Sequence, residues 1–217
     1  MTHDSPLDQG ALFILASGSP RRRELIDLLG LPVRVETAQV VEAACNEESP
    51  PETAARLALA KARAVAVRHP SAFVLGCDTV VALDGALLGK PAHAAQATAM
   101  LTALRGRTHA VYTGIALVEG AREATDLAET TVRMRAYTDA ELTAYVATGD
   151  PLDKAGAYAI QHATFRPVAG WDGCYANVMG LPLCHVARLL AAWRVFPTPD
   201  VPAACQAYTG HACHYRL

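Results

Sequence analysis

Three consecutive arginines stand where a helix begins. In "ILASGSPRRRELIDLLG", residues 14 to 30, Ile14 and Leu15 end a short apolar run, Ser17-Gly18-Ser19 reads as a turn, and Pro20 suits a first helical position. Leu25, Ile26, Leu28 and Leu29 supply an apolar helical face that Gly30 can close. The start of a helix carries partial positive charge, so Arg21, Arg22 and Arg23 each cost about 0.3–1 kcal/mol there. Ser17, Gly18, Ser19 and arginines around a strand–turn–helix make a natural anion cradle, suited to phosphate. It is not a Walker A loop, because GxxxxGK[ST] is absent. A solvated basic helix start capped by Ser19 is the plainer alternative, but a cap needs no triple arginine.

Lysine is scarce. Only Lys61, Lys90 and Lys154 occur among 19 basic residues, so arginine is the general-purpose cation of this chain. A lysine that persists can mark a place that needs a compact, flexible point charge rather than a planar fork. Lys61 falls in a helical stretch, Lys90 in "LGKP" and Lys154 in "DKAG". Asp78 interrupts the apolar strand "VLGCDTVVAL", where a carboxylate is costly unless paired, hydrogen-bonded or bound to metal. A satisfied strand-end carboxylate and a functional one are both open readings. Glu42 in "VVEAACNEE" is a further candidate ligand, with Glu47 and Glu48 as surface charge.

The elements that must hold these groups alternate. A strand at 11–16 leads into a helix from Pro20 to Leu29 and an apolar stretch near 33–37. A helix over 49–70 starts at Ser49-Pro50-Pro51 and stops at Pro70. Residues 72–91 read as a buried strand, an Asp84-Gly85 turn and a short return strand, followed by a helix over 92–106. "THAVYTGIALVEG" and "REATDLAETTVRMRAY" predict an antiparallel pair. A helix at 139–148, the loop "GDPLDKAG", a strand-like "AYAIQ" and a helix at 182–194 complete a domain over 11–195. The expected fold is mixed α/β, a twisted sheet flanked by helices, with two lobes and an active-site cleft between them. Residues 1–10 form an N-terminal extension. The Pro- and Gly-containing tail 196–217 predicts loose attachment, and its C-x₅-H-x-C-H spacing (Cys205, His211, Cys213, His214) is not a standard zinc arrangement.

With 217 residues, 52% hydrophobic and 18% charged, the composition is globular, and a formal charge of −2 argues against nucleic acid or anionic membrane as a partner. "MTHDSPLDQG" lacks the basic-then-apolar pattern of a secretion signal, and no apolar run approaches a membrane span. A cytoplasmic protein is expected. Its six cysteines, without a CxxC pair, then read as reduced thiols.

"LASGSPRRREL", "VVE", "LALAKA", "LGCDTVVAL", "LGKP", "VYTG", "GDPLDKAGAYAIQ" and "NVMGLPL" follow one another at spacings that resemble the Maf family of nucleoside triphosphate pyrophosphatases, over residues 11–193. The resemblance implies a Maf/ITPase-like fold, a homodimer, and hydrolysis of a nucleoside triphosphate to the monophosphate and pyrophosphate with a divalent cation, Mg²⁺ or Mn²⁺. By position it implies that Ser17, Arg22, Glu42, Lys61 and Lys90 bind substrate. It makes Asp78 the proton acceptor, with Glu42 and Asp78 as metal ligands. Asp78 as base and Asp78 as metal ligand both stay open. Arg21, Thr79 and Gln161 fall on the family's specificity positions and resemble the dTTP/UTP-directed branch; a glutamine amide can match the N3–H and carbonyls of thymine or uracil. His162 stands where the family usually has glycine, and "HATFRPVAGWDGCYA" differs from common family versions. The rival readings are a nucleotide-binding regulator of septum formation without turnover and a general phosphatase.

Overall fold

The computed structural model of the chain describes residues 5–7, 10–41 and 48–212. Strand β1 (Phe13–Ala16) is buried at all four positions, as a parallel strand covered on both faces must be. Helix α1 (Pro20–Asp27) follows the Ser17-Gly18-Ser19 turn, and β2 (Val33–Val35) returns parallel to β1. Helix α2 (Pro50–Ala66) opens with two prolines in its first turn, and the Glu52 carboxylate accepts the Ser49 N–H at 2.8 Å. Strand β3 (Phe73–Leu83) runs parallel to β1 and turns at Asp84-Gly85 into β4 (Ala86–Leu88). Both turn residues have positive φ, 51° and 80°, which a two-residue hairpin demands.

Helix α3 (Ala94–Leu104) precedes the long antiparallel pair β5 (Thr108–Glu119) and β6 (Arg122–Met134). Then come α4 (Asp139–Ala147), two short 3-10 turns over Asp150–Asp153 and Ala155–Ala157, β7 (Val168–Gly173), α5 (Tyr175–Met179), α6 (Leu183–Ala191) and α7 (Val201–Thr209). Among the described residues the sheet has seven strands in the order β2-β1-β3-β5-β6-β7, with β4 attached to β3. It is a mixed α/β sheet flanked by helices.

Helix α2 covers one face, packing Ala58, Ala62 and Val65 on Ile14, Val74, Ala116 and Val118. The larger core lies on the other face, where Leu15, Leu75, Ile115 and Leu117 meet Leu25 and Ile26 of α1, Leu101 and Leu104 of α3, and Leu190 of α6. Two strand glycines set the height of α2 above the sheet. A Cβ on Gly76 would lie 2.2 Å from the Ala58 carbonyl oxygen, and one on Gly114 would lie 2.3 Å from that of Ala54. Only glycine allows so close an approach.

Three stretches differ from the sequence-based expectation. Tyr158–Gln161 is irregular rather than a strand: its apolar residues are buried from a loop, and apolarity alone does not distinguish the two. Val168–Gly173, with two glycines and an aspartate, forms β7 because β6 offers it an edge, with a register shift at Arg133/Met134. Beyond Phe196, Val201–Thr209 is helical rather than loose. Asp200 accepts the Ala203 N–H at 2.9 Å, Val201 and Cys205 are buried, the Thr198 N–H reaches the Leu29 carbonyl at 3.1 Å, and the Tyr208 hydroxyl donates to Glu24 at 2.6 Å. Among the described residues, no helix is long and apolar enough to cross a membrane.

Candidate active site

Strand β3 changes neighbours half-way along. β1 accompanies it from Phe73 to Gly76 and β4 from Val81 to Leu83, so among the described residues Cys77–Val80 have no strand partner on that edge. The carboxyl end of β1, where Ser17 follows, lies beside the gap. Such an interruption at a strand's carboxyl end is where open α/β sheets leave a crevice. A cavity of about 730 Å³ opens there, with Ser17, Arg21, Arg22, Lys61, Asp78, Thr79, Lys90 and Gln161 all in its walls. Glu42 lies outside the described residues. Walls from the N-terminal elements, from 87–90 and from 153–161 form the cleft expected between two lobes.

The pleat sends successive β3 side chains to opposite faces. Asp78 points to the α2 face, where Lys61 Nζ meets Asp78 Oδ1 at 2.5 Å. Their side chains are 10% and 9% exposed. A charge pair this buried gains little net stability over apolar residues of the same shape, because desolvation offsets the Coulomb attraction. The close approach of α2 over Gly76 and Gly114 is what brings Lys61 to Asp78. Thr79 points to the other face and bonds the Thr113 hydroxyl, its cross-strand partner in β5, at 2.9 Å.

The three arginines are not equivalent. Arg22 folds back into the protein: Nε donates to the Gly180 carbonyl at 2.7 Å, Nη2 to Thr79 Oγ1 at 2.9 Å and Nη1 to Ser17 Oγ at 3.4 Å. Arg21 lines the cavity, and Arg23 is exposed. Ser17 Oγ also accepts the Ser19 N–H at 3.2 Å, so the turn and the guanidinium share one acceptor. Lys90 lies exposed at the rim. The third lysine is structural as well as cavity-lining, because Lys154 Nζ is held by Asp150 Oδ1 at 2.8 Å and Asp153 Oδ1 at 2.6 Å.

Gln161 is exposed in the cavity wall, and its amide bonds no group of its own loop among the described residues. The bracing falls to His162, whose Nδ1 accepts the Phe165 N–H at 3.0 Å while its ring meets Tyr145 at 4.7 Å. Burial pushes the Cys77 thiol up to about 11, which removes it as a nucleophile. Burial also holds His109 down at about 4; its neutral ring bonds the hydroxyl of the cavity residue Tyr158 at 2.8 Å.

Sequence reasoning passed over Thr113, Thr130 and Asn177, all fully buried behind Thr79. Thr113 carries a signal as a hydroxyl in the apolar run "VYTGIALV" and Asn177 as an amide in "NVMGLPL", whereas Thr130 lies among the polar residues of β6 and carries none.

A divalent cation fits this donor set in one way. Among the described residues no three His, Cys, Asp or Glu side chains cluster into a cage. Asp78 Oδ2 carries no hydrogen bond among those residues, Lys61 being on Oδ1. One free carboxylate oxygen suits Mg²⁺, which is commonly bound through one or two carboxylates plus substrate phosphates.

The Maf-like protein family model matches residues 12–193. The chain is 49% identical over 199 residues to a dTTP/UTP pyrophosphatase of Thermomicrobium roseum, covering 89% of this chain and 91% of that one. A dTTP/UTP pyrophosphatase of Symbiobacterium thermophilum is 50% identical over 177 residues, covering 82% and 91%. Another, from Moorella thermoacetica, is 50% identical over 184 residues, covering 84% and 95%. The Staphylococcus aureus Ham1 protein structure aligns with a TM-score of 0.46 at 14% identity, over 83% of this chain and 96% of that one. A match spanning the sheet and all the cavity walls, with relatives of about half-identical sequence over most of their length, makes this chain a member of the Maf family.

Proposed function

We propose that this protein hydrolyses dTTP and UTP to the monophosphate and pyrophosphate, the activity for which its similar relatives are named. The observation that carries the reading is the buried Lys61–Asp78 pair at the open edge of β3, in one cavity with the Ser17–Arg21 helix start and Lys90. A regulator without turnover would have no need of a desolvated carboxylate in one cavity with Lys61, Arg21 and Lys90.

Water attacks the α-phosphorus in line and pyrophosphate leaves. Such transfer needs positioning and charge neutralisation more than covalent chemistry. Lys61, Lys90, Arg22 and the Ser17–Ser19 turn bind the triphosphate, with Arg22 also holding the turn in shape. Asp78 takes the water's proton or holds the metal. Asp78 and Glu42 are the residues that would hold Mg²⁺ or Mn²⁺, which would supply charge neutralisation and a lower pKa for the water. Arg21, Thr79 and Gln161 meet the base, and the Gln161 amide N–H can donate to a carbonyl of uracil or thymine. The catalytic domain is 11–195, acting as a cytoplasmic homodimer on free nucleotides.

Purified protein is incubated with dTTP, UTP, CTP, ATP and GTP and Mg²⁺, and pyrophosphate and orthophosphate are measured separately. Pyrophosphate from dTTP and UTP is expected. Orthophosphate alone would indicate a phosphatase, no release a regulator, and a purine preference would reject the base assignment.

A further inference from the structure

Thr79 reaches the cavity with most of its hydrogen-bonding capacity already used, and the direction of each bond can be assigned. Arg22 Nη2, which can only donate, lies 2.9 Å from Thr79 Oγ1. Thr79 Oγ1 lies 2.9 Å from Thr113 Oγ1. Thr113 Oγ1 lies 3.1 Å from the carbonyl oxygen of Asn177, which can only accept. Each hydroxyl has one proton. Were Thr113 to turn its proton towards Thr79, its oxygen would face the Asn177 carbonyl as acceptor against acceptor. Thr113 and Asn177 are both 0% exposed, so water could not relieve that contact.

The Thr113 proton therefore goes to Asn177, and the Thr79 proton goes to Thr113. Asn177 is itself fixed, since its Nδ2 donates to the Val111 carbonyl at 3.1 Å and to Thr130 Oγ1 at 2.9 Å. Thr79 Oγ1 thus spends its proton on Thr113 and one lone pair on Arg22. A single lone pair is left for the cavity.

We infer that Thr113 is a specificity-determining positioning residue: by taking the proton of Thr79, it forces Thr79 to meet the nucleobase as an acceptor only. An acceptor there selects a base edge that offers an N–H. Uracil and thymine carry a proton on N3, whereas cytosine presents a bare N3 acceptor, which meets Thr79 lone pair to lone pair. The inference rests on the pyrimidine reading above and adds to it the buried residue that sets the sign of the contact.

Thr113→Val keeps the side-chain shape and removes the acceptor for the Thr79 proton. Asn177 still receives the Gly180 N–H at 2.9 Å, so its carbonyl is not orphaned. The freed Thr79 hydroxyl can then turn its proton into the cavity and donate to cytosine N3. The measurement is kcat/KM for CTP relative to UTP. The ratio is expected to rise about tenfold in Thr113→Val, the scale of one buried polar mismatch, and to stay at the wild-type value in Thr113→Ser. A Thr113→Val enzyme whose CTP and UTP constants fall by the same factor overturns the inference.

Where a thermal melt shows Thr113→Val unfolded, Thr79→Val on the cavity wall carries the test. It should erase the preference of UTP over CTP, and an unchanged ratio there also overturns the inference. A wild-type enzyme that prefers purines defeats the pyrimidine reading before any substitution, and the base assignment of Thr79 falls with it. A pyrimidine-selective wild type with an unmoved Thr113→Val ratio defeats the inference alone.

Discussion

Asp78→Asn separates the structural role of Asp78 from its proposed catalytic one. The amide keeps an oxygen for Lys61 Nζ, now 2.5 Å from Oδ1, but removes the charge. Breaking a sealed ion pair at one end costs about 3–5 kcal/mol, whereas an exposed pair is worth about 1 kcal/mol or less. With 10% and 9% of the two side chains exposed, this pair is close to sealed, and the retained hydrogen bond puts the cost near the lower bound, about 3 kcal/mol. For a chain of this size that lowers Tm by about 6–12 °C. Turnover should fall by more than stability explains, about 10²–10⁴-fold, when assayed well below the variant's Tm. Combining Asp78→Asn with Lys61→Met tests the coupling. The double variant should be less destabilised than the two single changes added together, because the buried ammonium leaves with its partner, while turnover stays lost. Circular dichroism melts and pyrophosphate release on the same four preparations decide it. A folded Asp78→Asn enzyme with near wild-type turnover would refute the catalytic role and leave Asp78 as a structural partner of Lys61.

The depressed His109 pKa makes stability fall as pH drops. The unfolded ring protonates near 6.5 and the folded one only near 4, so about 3 kcal/mol present above pH 6.5 is lost on going down to pH 4. Urea midpoints across that range should flatten in His109→Gln, and equal slopes in both proteins would count against it. Gly114→Ala drives a methyl to 2.3 Å from the Ala54 carbonyl and must lift α2; a loss of about 1–3 kcal/mol in a denaturant titration is expected, together with lower turnover as Lys61 moves away. Truncation after Phe196 removes buried Val201 and Cys205 and the Tyr208–Glu24 bond, and should lower Tm by several degrees. An unchanged melt would make the tail the loose appendage that its composition suggests.

Most elements were legible because their signals are local. Ser49-Pro50-Pro51 before an apolar helical face, Asp84-Gly85 between apolar runs, and the Val- and Thr-rich pair around Gly120 each carry their cause within a few residues. The stretches that misled draw their structure from elsewhere. Val168–Gly173 has little strand propensity and is recruited by the free edge of β6. Val201–Thr209 is anchored through Glu24 and the Leu29 carbonyl, far away in the chain. The same division runs through the site. Lysine scarcity and an acid in an apolar strand pointed at Lys61, Lys90 and Asp78. The relay from Arg22 through Thr79 and Thr113 to Asn177 depends on a cross-strand register and a helix 64 residues further on, and no local pattern encodes that.

The tolerance for three arginines at one helix start also has a non-local cause. A guanidinium at the N-terminal turn of α1 is unfavourable only if it stays beside the unpaired N–H groups there. Arg22 does not. Its Nε donates to the carbonyl of Gly180, the residue that closes α5 at φ 111°, where a helix end leaves acceptors without intrahelical donors. The positive head is thus carried from the end of one helix that repels it to the end of another that attracts it. The exposed Arg23 is screened by water, and only Arg21, in the cavity wall, remains to be balanced by an anion. The cluster divides its work accordingly: Arg22 joins α1 to α5 and β3 around the cavity, and in the proposed function Arg21 is left facing the nucleotide. Replacing Arg22 should therefore loosen the site's frame and the proton direction at Thr79, whereas replacing Arg21 should weaken nucleotide binding with the frame intact.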